Sequence, residues 1–210
     1  MILDKDAKVV LCFGDSNTWG RNPTDGSRYD SSQRWTGILQ SNLGQDFYVI
    51  EEGLGGRTTD CENPGREGRD GFLYLKPCIE SHEPDIVILM LGTNDLKDFF
   101  DKSANDIVLS LESYCRHIQA LDKKNSLILV SPTGLSLDAP EFSHADQFSE
   151  SSVLKASEFS AKIKLLAEKY SCEFLDASDF ALLGNDGLHW TEESHSNFGH
   201  EVVKKVRVLK

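Results

Sequence analysis

The sequence lacks the features that mark membrane-spanning and secreted chains. No apolar run approaches the roughly 20 residues that a transmembrane helix needs, and the first run, KVVLCF, follows acidic residues rather than a basic start. We therefore expect neither a leader nor a membrane anchor. The five cysteines are odd in number, scattered and without a CxxC pair, which is typical of free thiols in a reducing compartment. These absences predict a cytoplasmic protein.

Basic residues are scarce, with 22 Lys and Arg against 34 Asp and Glu and a formal net charge of −12 at pH 7. Binding to nucleic acid or to an anionic membrane needs clustered Lys and Arg, so the excess of acid argues against both as partners. Hydrophobic residues make up 39% of the 210 positions, which is enough for a globular core. The length fits one domain over residues 1–210.

Continuous apolar runs alternate along the chain with segments of helical periodicity. Runs such as VVLCF, IVILML and LILV contain no polar alternation, which favours strands buried on both faces of a parallel sheet. The predicted strands span 8–13, 47–51, 85–91, 126–131 and 172–175, and the predicted helices cover 107–121, 159–170 and 198–209. The alternation predicts an α/β fold, a three-layer α/β/α sandwich around a mainly parallel five-stranded sheet.

Small polar residues lie at the carboxyl ends of the predicted strands. GDS at 14–16 follows the first strand, GLGGRT at 53–58 the second, GTND at 92–95 the third, and DGLH at 186–189 comes after the fifth. Ligands of such sheets bind outside these carboxyl ends, so we expect the four segments to meet there. Together they supply a hydroxyl, a glycine-rich backbone, an amide, a carboxylate and an imidazole, the groups of an acyl-transfer site.

Each of these groups has a chemical role in such a site. Ser16 is a weak nucleophile until a base takes its proton, and His189 can accept that proton and return it to the leaving group. Asp186 can accept a hydrogen bond from the other ring nitrogen and fix its tautomer. The oxyanion of the tetrahedral intermediate needs fixed donors. The backbone N–H groups of Ser16 and Gly56 and the side-chain amide of Asn94 are the candidates.

In this order, the blocks GDSNTWG, GLGGRTT, GTND and DGLHW resemble the four sequence blocks of the SGNH hydrolases, also called the GDSL esterase/lipase family. The family letters fall on Ser16, Gly56, Asn94 and His189. The stretches RWTGIL, VIEEGL and IVILMLGTND resemble the aryl esterase and acyltransferase branch. The resemblance implies a flavodoxin-like sheet, no metal or other cofactor, and a small-molecule ester as partner. It also implies hydrolysis of short-chain acyl esters, some acyl transfer, and a homo-oligomer.

The sequence departs from the family pattern at Asn17, where the name-giving motif has leucine. This position neighbours the nucleophile without doing chemistry, so the departure bears on substrate preference. Two alternatives stay open. The same residues serve a carbohydrate or glycan O-deacetylase, and a non-catalytic small-molecule binding module keeps the fold without the activity. Such a module usually loses the Ser or the His, and this chain keeps both.

Other candidate residues are assigned surface or packing roles. Five histidines have no carboxylate at triad spacing near a strand end: His82, His117, His144, His195 and His200. The segment HWTEESH, which begins at His189, lacks the HExxH spacing of a helical zinc site. Arg57 is expected to be an exposed partner of an acidic residue rather than a contact to an anionic substrate. Asp15 and Asp95 are expected to hold the loops of their neighbours.

Overall fold

The computed structural model describes residues 6–121 and 125–209. Its centre is a sheet of five strands in the order β2-β1-β3-β4-β5, and every neighbouring pair is parallel. The strands are β1 (Lys8–Gly14), β2 (Phe47–Gly53), β3 (Ile86–Met90), β4 (Ser126–Ser131) and β5 (Glu173–Asp176). Each predicted strand is therefore confirmed to within two residues, and the strand order is that of flavodoxin-like sheets.

Helices cover both faces of this sheet and make the predicted three layers. Within the described residues they are α1 (Ser16–Trp19), α2 (Trp35–Leu43), α3 (Gly71–His82), α4 (Ala104–Gln119), α5 (Glu150–Ser157), α6 (Phe159–Lys169) and α7 (Glu192–Val208). Side chains of α3, α4 and α6 pack on one face, and those of α2 and α7 pack on the other. No helix in the described ranges has both the length and the apolar run needed to cross a bilayer.

The unbroken apolar runs of the sequence follow from this two-sided burial. Along β1, Leu11 and Phe13 point into the layer of α3 and α4, while Val10 and Cys12 point into the layer of α2 and α7. All four side chains have no exposed surface. Because successive side chains of a strand point to opposite faces, a strand covered on both sides has no polar position to offer.

The start of α7 is fixed by a cap that the residue types favour. The Thr191 hydroxyl accepts a hydrogen bond from the backbone N–H of Ser194 at 3.2 Å, and Glu192 and Glu193 lie in the first turn, near the positive end of the helix dipole. The helix therefore begins three residues after His189, which sets where the loop 184–190 crosses the carboxyl edge of the sheet.

Candidate active site

Ser16 lies where β1 ends and the short helix α1 begins. The turn is tight, because a Cβ on Gly14 would lie 2.1 Å from the hydroxyl oxygen of Thr18. The carboxylate of Asp15 caps α1 by accepting a hydrogen bond from the Asn17 N–H at 3.0 Å. Burial raises the pKa of Asp15 to about 6, against the lowering effect of that hydrogen bond. The expected loop-holding role of Asp15 is consistent with this contact.

The ring of His189, which lies near the C-terminal end of the chain, contacts both Ser16 and Asp186. Its Nε2 atom lies 2.9 Å from Oγ of Ser16, and its Nδ1 atom lies 2.6 Å from Oδ2 of Asp186. The second oxygen of Asp186 accepts the backbone N–H groups of Leu188 and His189 at 3.0 and 2.9 Å. Partial burial pushes the pKa of Asp186 up, but these hydrogen bonds more than offset it and leave the pKa below its usual value. This is the geometry that general-base activation of a serine requires.

Gly56 and Asn94, the two other predicted oxyanion donors, follow the neighbouring strands and line the same cavity as Ser16. Gly56 has φ +82° in a turn closed by the Arg57 N–H, which donates to the Leu54 carbonyl at 3.0 Å, and a turn with positive φ at its third position favours glycine. One N–H of the Asn94 amide donates to the Arg57 carbonyl at 3.1 Å. Its second N–H has no acceptor in the part of the chain that the structure describes. Within residues 6–121 and 125–209, the backbone N–H groups of Ser16 and Gly56 donate no hydrogen bond.

Ser16, Gly56, Asn94 and His189 all line one cavity of about 440 Å³, whereas Asp186 does not line it. Its lining includes Phe99, Phe148 and Leu188, together with the charged side chains of Arg66 and Lys97. Apolar walls with a few polar groups are typical of small-molecule sites. The structure thus brings the predicted residues together at the carboxyl edge of the sheet.

Asn17 has a structural role that the sequence did not reveal. Its side-chain amide donates to the Leu188 carbonyl at 3.2 Å, and its side-chain oxygen accepts the Trp190 N–H at 3.1 Å. Asn17 is 3% exposed. These two bonds tie α1 to the residues on either side of His189, and a leucine can make neither. No local signal points to contacts across more than 170 positions.

Asp95 holds the third loop to the second, in agreement with its expected role. Its buried carboxylate accepts the Thr59 N–H at 2.9 Å and pairs with the Lys102 ammonium at 3.1 Å. Burial raises the pKa of Asp95, while Lys102 and Thr59 act in the opposite direction. The GTND segment and the glycine-rich segment are therefore fixed to each other beneath the cavity.

The expectation of an exposed Arg57 is wrong. Arg57 is 2% exposed, and its guanidinium lies 4.2 Å from the ring centroid of Phe13. It donates to the carbonyl oxygens of Gly14 at 2.9 Å and of Glu52. The side chain thus links the ends of β1 and β2 from inside the protein, where its planar group satisfies backbone carbonyls.

Two of the five histidines, His195 and His144, differ in their surroundings. His195 has no exposed surface and packs against the rings of Tyr29 and Trp190, with centroid distances of 5.3 and 5.4 Å. Burial lowers the pKa of His195 to about 3, so its ring is neutral and its role is packing. His144 instead lines the cavity beside His189.

One group of side chains has donor atoms close enough for a metal ion. The ligand atoms of Glu52, Cys78 and His82 lie within 4.8 Å of one another. Arg57 already faces this carboxylate, with 4.0 Å between Nη2 and Oε2 of Glu52, and burial raises the pKa of the Cys78 thiol to about 12. A protonated thiol and a carboxylate paired with a buried cation make a poor donor set for a divalent ion.

A parallel sheet with Ser16, Gly56, Asn94 and His189 meeting at one edge defines the class of ester hydrolases with the SGNH fold. The chain belongs to the GDSL-like lipase/acylhydrolase family, whose model matches residues 12–199. This membership confirms the resemblance found in the sequence blocks.

Solved structures of two esterases are similar over almost the whole chain. The aryl esterase of M. smegmatis is 36% identical with a TM-score of 0.88, over 97% of this chain and 100% of that chain. Est24, a carbohydrate acetylesterase from Sinorhizobium meliloti, is 34% identical with a TM-score of 0.88, over the same two shares. Both similarities extend over almost the whole fold.

A curated relative, the lipoprotein YqeF of Bacillus subtilis (strain 168), is 33% identical over 86 residues. That alignment covers 41% of this chain and 31% of YqeF, so the chain matches under a third of that relative's length.

Proposed function

We propose that the protein is a serine esterase that hydrolyses short-chain acyl esters of aryl or alkyl alcohols through an acyl-Ser16 intermediate. The observation that carries the proposal is the pair of contacts made by His189, 2.9 Å to the Ser16 hydroxyl and 2.6 Å to the Asp186 carboxylate. A hydroxyl, an imidazole and a carboxylate in this chain of contacts form a Ser-His-Asp triad.

In the first half-reaction, Nε2 of His189 takes the proton of Ser16 Oγ as that oxygen attacks the ester carbonyl carbon. The carbonyl electron pair moves onto the oxygen, where the N–H groups of Ser16 and Gly56 and the Asn94 amide stabilise the charge. The intermediate collapses, the bond to the alcohol oxygen breaks, and His189 returns the proton to the departing alcohol. The acyl group is left on Ser16.

Water completes the cycle by the same route in reverse, with His189 as its base. An alcohol that enters in place of water takes the acyl group instead, so acyl transfer is part of the proposal as a side activity. The cavity of about 440 Å³ has room for a small-molecule ester. The test is turnover of p-nitrophenyl acetate by the wild type, Ser16→Ala and, as a matched control on the surface, Ser157→Ala. The proposal requires loss of turnover in the first variant alone.

A carbohydrate O-deacetylase is a second candidate for the same residues. The similarity to Est24 favours it, because Est24 and the aryl esterase have the same TM-score to this chain and nearly the same sequence identity. Acetylated xylose and an aryl acetate, assayed side by side, separate the two functions through the ratio of their kcat/KM values. A non-catalytic binding module would turn over neither compound.

We also propose a cytoplasmic location and a homo-oligomeric state. The location is supported by the five cysteines, all of which are unpaired, and cell fractionation tests it against the membrane attachment suggested by the name of the relative YqeF. Light scattering during size-exclusion chromatography measures the oligomeric state directly, and a monomer would contradict that part of the proposal.

A further inference from the structure

Lys97 places an unpaired cation in the wall of the active-site cavity. It follows the GTND segment and is 6% exposed, yet its side chain lines the same cavity as Ser16 and His189. Among residues 6–121 and 125–209, no carboxylate lies within ion-pair distance of its ammonium group and no acceptor is hydrogen-bonded to it. The ring centroid of Phe99 lies 5.9 Å from its Nζ atom.

Lys102, five residues further along the chain, is a partly buried lysine that does have ion-pair partners. The Lys102 side chain is 13% exposed, and its ammonium pairs with the carboxylates of Asp60 and Asp95. Burial of a charge is costly unless a partner offsets it. Lys97 has no such partner among the described residues. Its burial and the nearby Arg66 lower the pKa of its ammonium group, against the opposing effect of the more distant Asp146 and Asp95 carboxylates. A ligand that brings a negative charge removes the cost.

The other charged side chains of the cavity lining are mostly positive. Arg21 and Arg66 also line it, against the single carboxylate of Asp146. Arg66 donates to the Gly55 carbonyl at 2.9 Å, so its guanidinium lies beside the Gly56 donor. A wall with three cations is unusual in a chain with a net charge of −12, and such a wall attracts anions locally.

We infer that Lys97 is a specificity residue and that the preferred substrate is an ester whose acyl or alcohol portion carries an anionic oxygen group, such as a carboxylate, that pairs with Lys97 beside Ser16. This inference rests on the proposed esterase function and names the substrate class for that site. A neutral acetylated sugar would leave the Lys97 ammonium unpaired.

Two pairs of esters that differ only in charge test the inference. In the first, 4-acetoxybenzoate and its methyl ester place the charge on the alcohol side. In the second, the 4-nitrophenyl monoester of adipic acid and its methyl ester place it on the acyl side. Each kcat/KM is divided by the rate constant for hydroxide-catalysed hydrolysis of the same ester, which removes differences in intrinsic reactivity.

The wild type should prefer the anionic member of at least one pair by about 10-fold or more, as a charged hydrogen bond contributes. Lys97→Met should reduce that preference by about the same factor, and Lys97→Arg should retain part of it. Lys204→Met, which removes an exposed lysine on α7, is the matched control and should leave the preference at the wild-type value.

Equal treatment of charged and neutral esters by the wild type in both pairs would overturn the inference. So would an equal loss on both members in Lys97→Met. The wild-type comparison and its inhibition by benzoate against benzamide need no variant, so a poorly folded Lys97→Met leaves the inference testable. Failure of the esterase function itself looks different, because no ester would then be hydrolysed or turnover would persist in Ser16→Ala.

Discussion

The side chain of Asn17 is hydrogen-bonded to the backbone carbonyl of Leu188 at 3.2 Å, although the two residues are 171 positions apart. A second bond, from the Trp190 N–H to the Asn17 side-chain oxygen, completes a bridge over His189. The residue after the proposed nucleophile thus holds the backbone on both sides of the proposed base. The distance between Ser16 and His189 depends on this bridge as well as on the two side chains themselves.

Replacing Asn17 with alanine should therefore lower kcat far more than it changes KM. We expect a loss of roughly 10- to 100-fold in kcat, because a displacement of about 1 Å at a reacting group costs up to about 100-fold. Steady-state kinetics with p-nitrophenyl acetate measure both constants. Asn42→Ala, on the exposed side of α2, is the matched control. A raised KM with unchanged kcat would show that Asn17 acts on substrate preference instead.

The Asn94 amide should contribute to the transition state rather than to binding. Asn94→Ala removes the side-chain donor, and the loss of one oxyanion donor typically costs about 10²- to 10³-fold in kcat. The bond to the Arg57 carbonyl is lost with it, so circular dichroism must show that the fold is retained. Asn105→Ala, at an exposed position in α4, is the control. An unchanged kcat would remove Asn94 from the oxyanion hole.

The pair of Lys102 and Asp95 should stabilise the fold. Lys102→Met leaves the Asp95 carboxylate, whose side chain has no exposed surface, without its cation, and breaking a buried pair in this way costs about 3–5 kcal/mol in the free energy of unfolding. Urea denaturation measures the difference. The exposed pair of Lys204 and Glu201 gives the comparison, since Lys204→Met should cost less than about 1 kcal/mol. Equal losses would contradict the assigned role of the buried pair.

His195 should make stability fall as the pH is lowered. Its pKa is about 3 in the folded protein because it is buried, against a reference value near 6.5 in the unfolded chain. Between these values the unfolded state takes up a proton that the folded state does not, so the contribution present above pH 6.5 declines toward pH 3. From pH 6.5 to 5 the decline is about 2 kcal/mol.

The variant His195→Gln isolates this titration, since glutamine can still accept the Trp35 N–H that donates to His195 at 3.4 Å. Its free energy of unfolding should approach that of the wild type by about 2 kcal/mol over the same pH interval. Parallel pH dependence in the two proteins would mean that His195 takes up its proton without unfolding.

The sequence predicted what depends on local pattern. The run SLILVS is a strand over Ser126–Ser131 because continuous apolar residues fit a strand covered on both faces. Helix α3 was not predicted, since it begins with Gly71 and contains Pro77, both of which oppose helix formation. Packing of Leu75 and Ile79 against the sheet stabilises it nevertheless.

The parts of the site that could not be predicted depend on contacts between distant segments. The sequence blocks predicted the candidate donors, the hydroxyl and the imidazole, and the structure places these groups near one another. They did not reveal the bridge made by Asn17, the burial of Arg57 over Phe13, or the unpaired Lys97. Each of these depends on which loops the strand order brings together. The type of a single residue does not indicate which distant segments it will contact.

The central claim is that Ser16 becomes covalently bonded to the acyl group of the substrate during turnover. A fluorophosphonate probe, which reacts with an activated serine, should label the wild type in equal molar amount, and mass spectrometry of the peptides should place the label on Ser16. His189→Ala should label far more slowly, and His200→Ala, altered at an exposed position of α7, at the wild-type rate. A label on any other residue, or none on an enzyme that hydrolyses esters, would contradict the account.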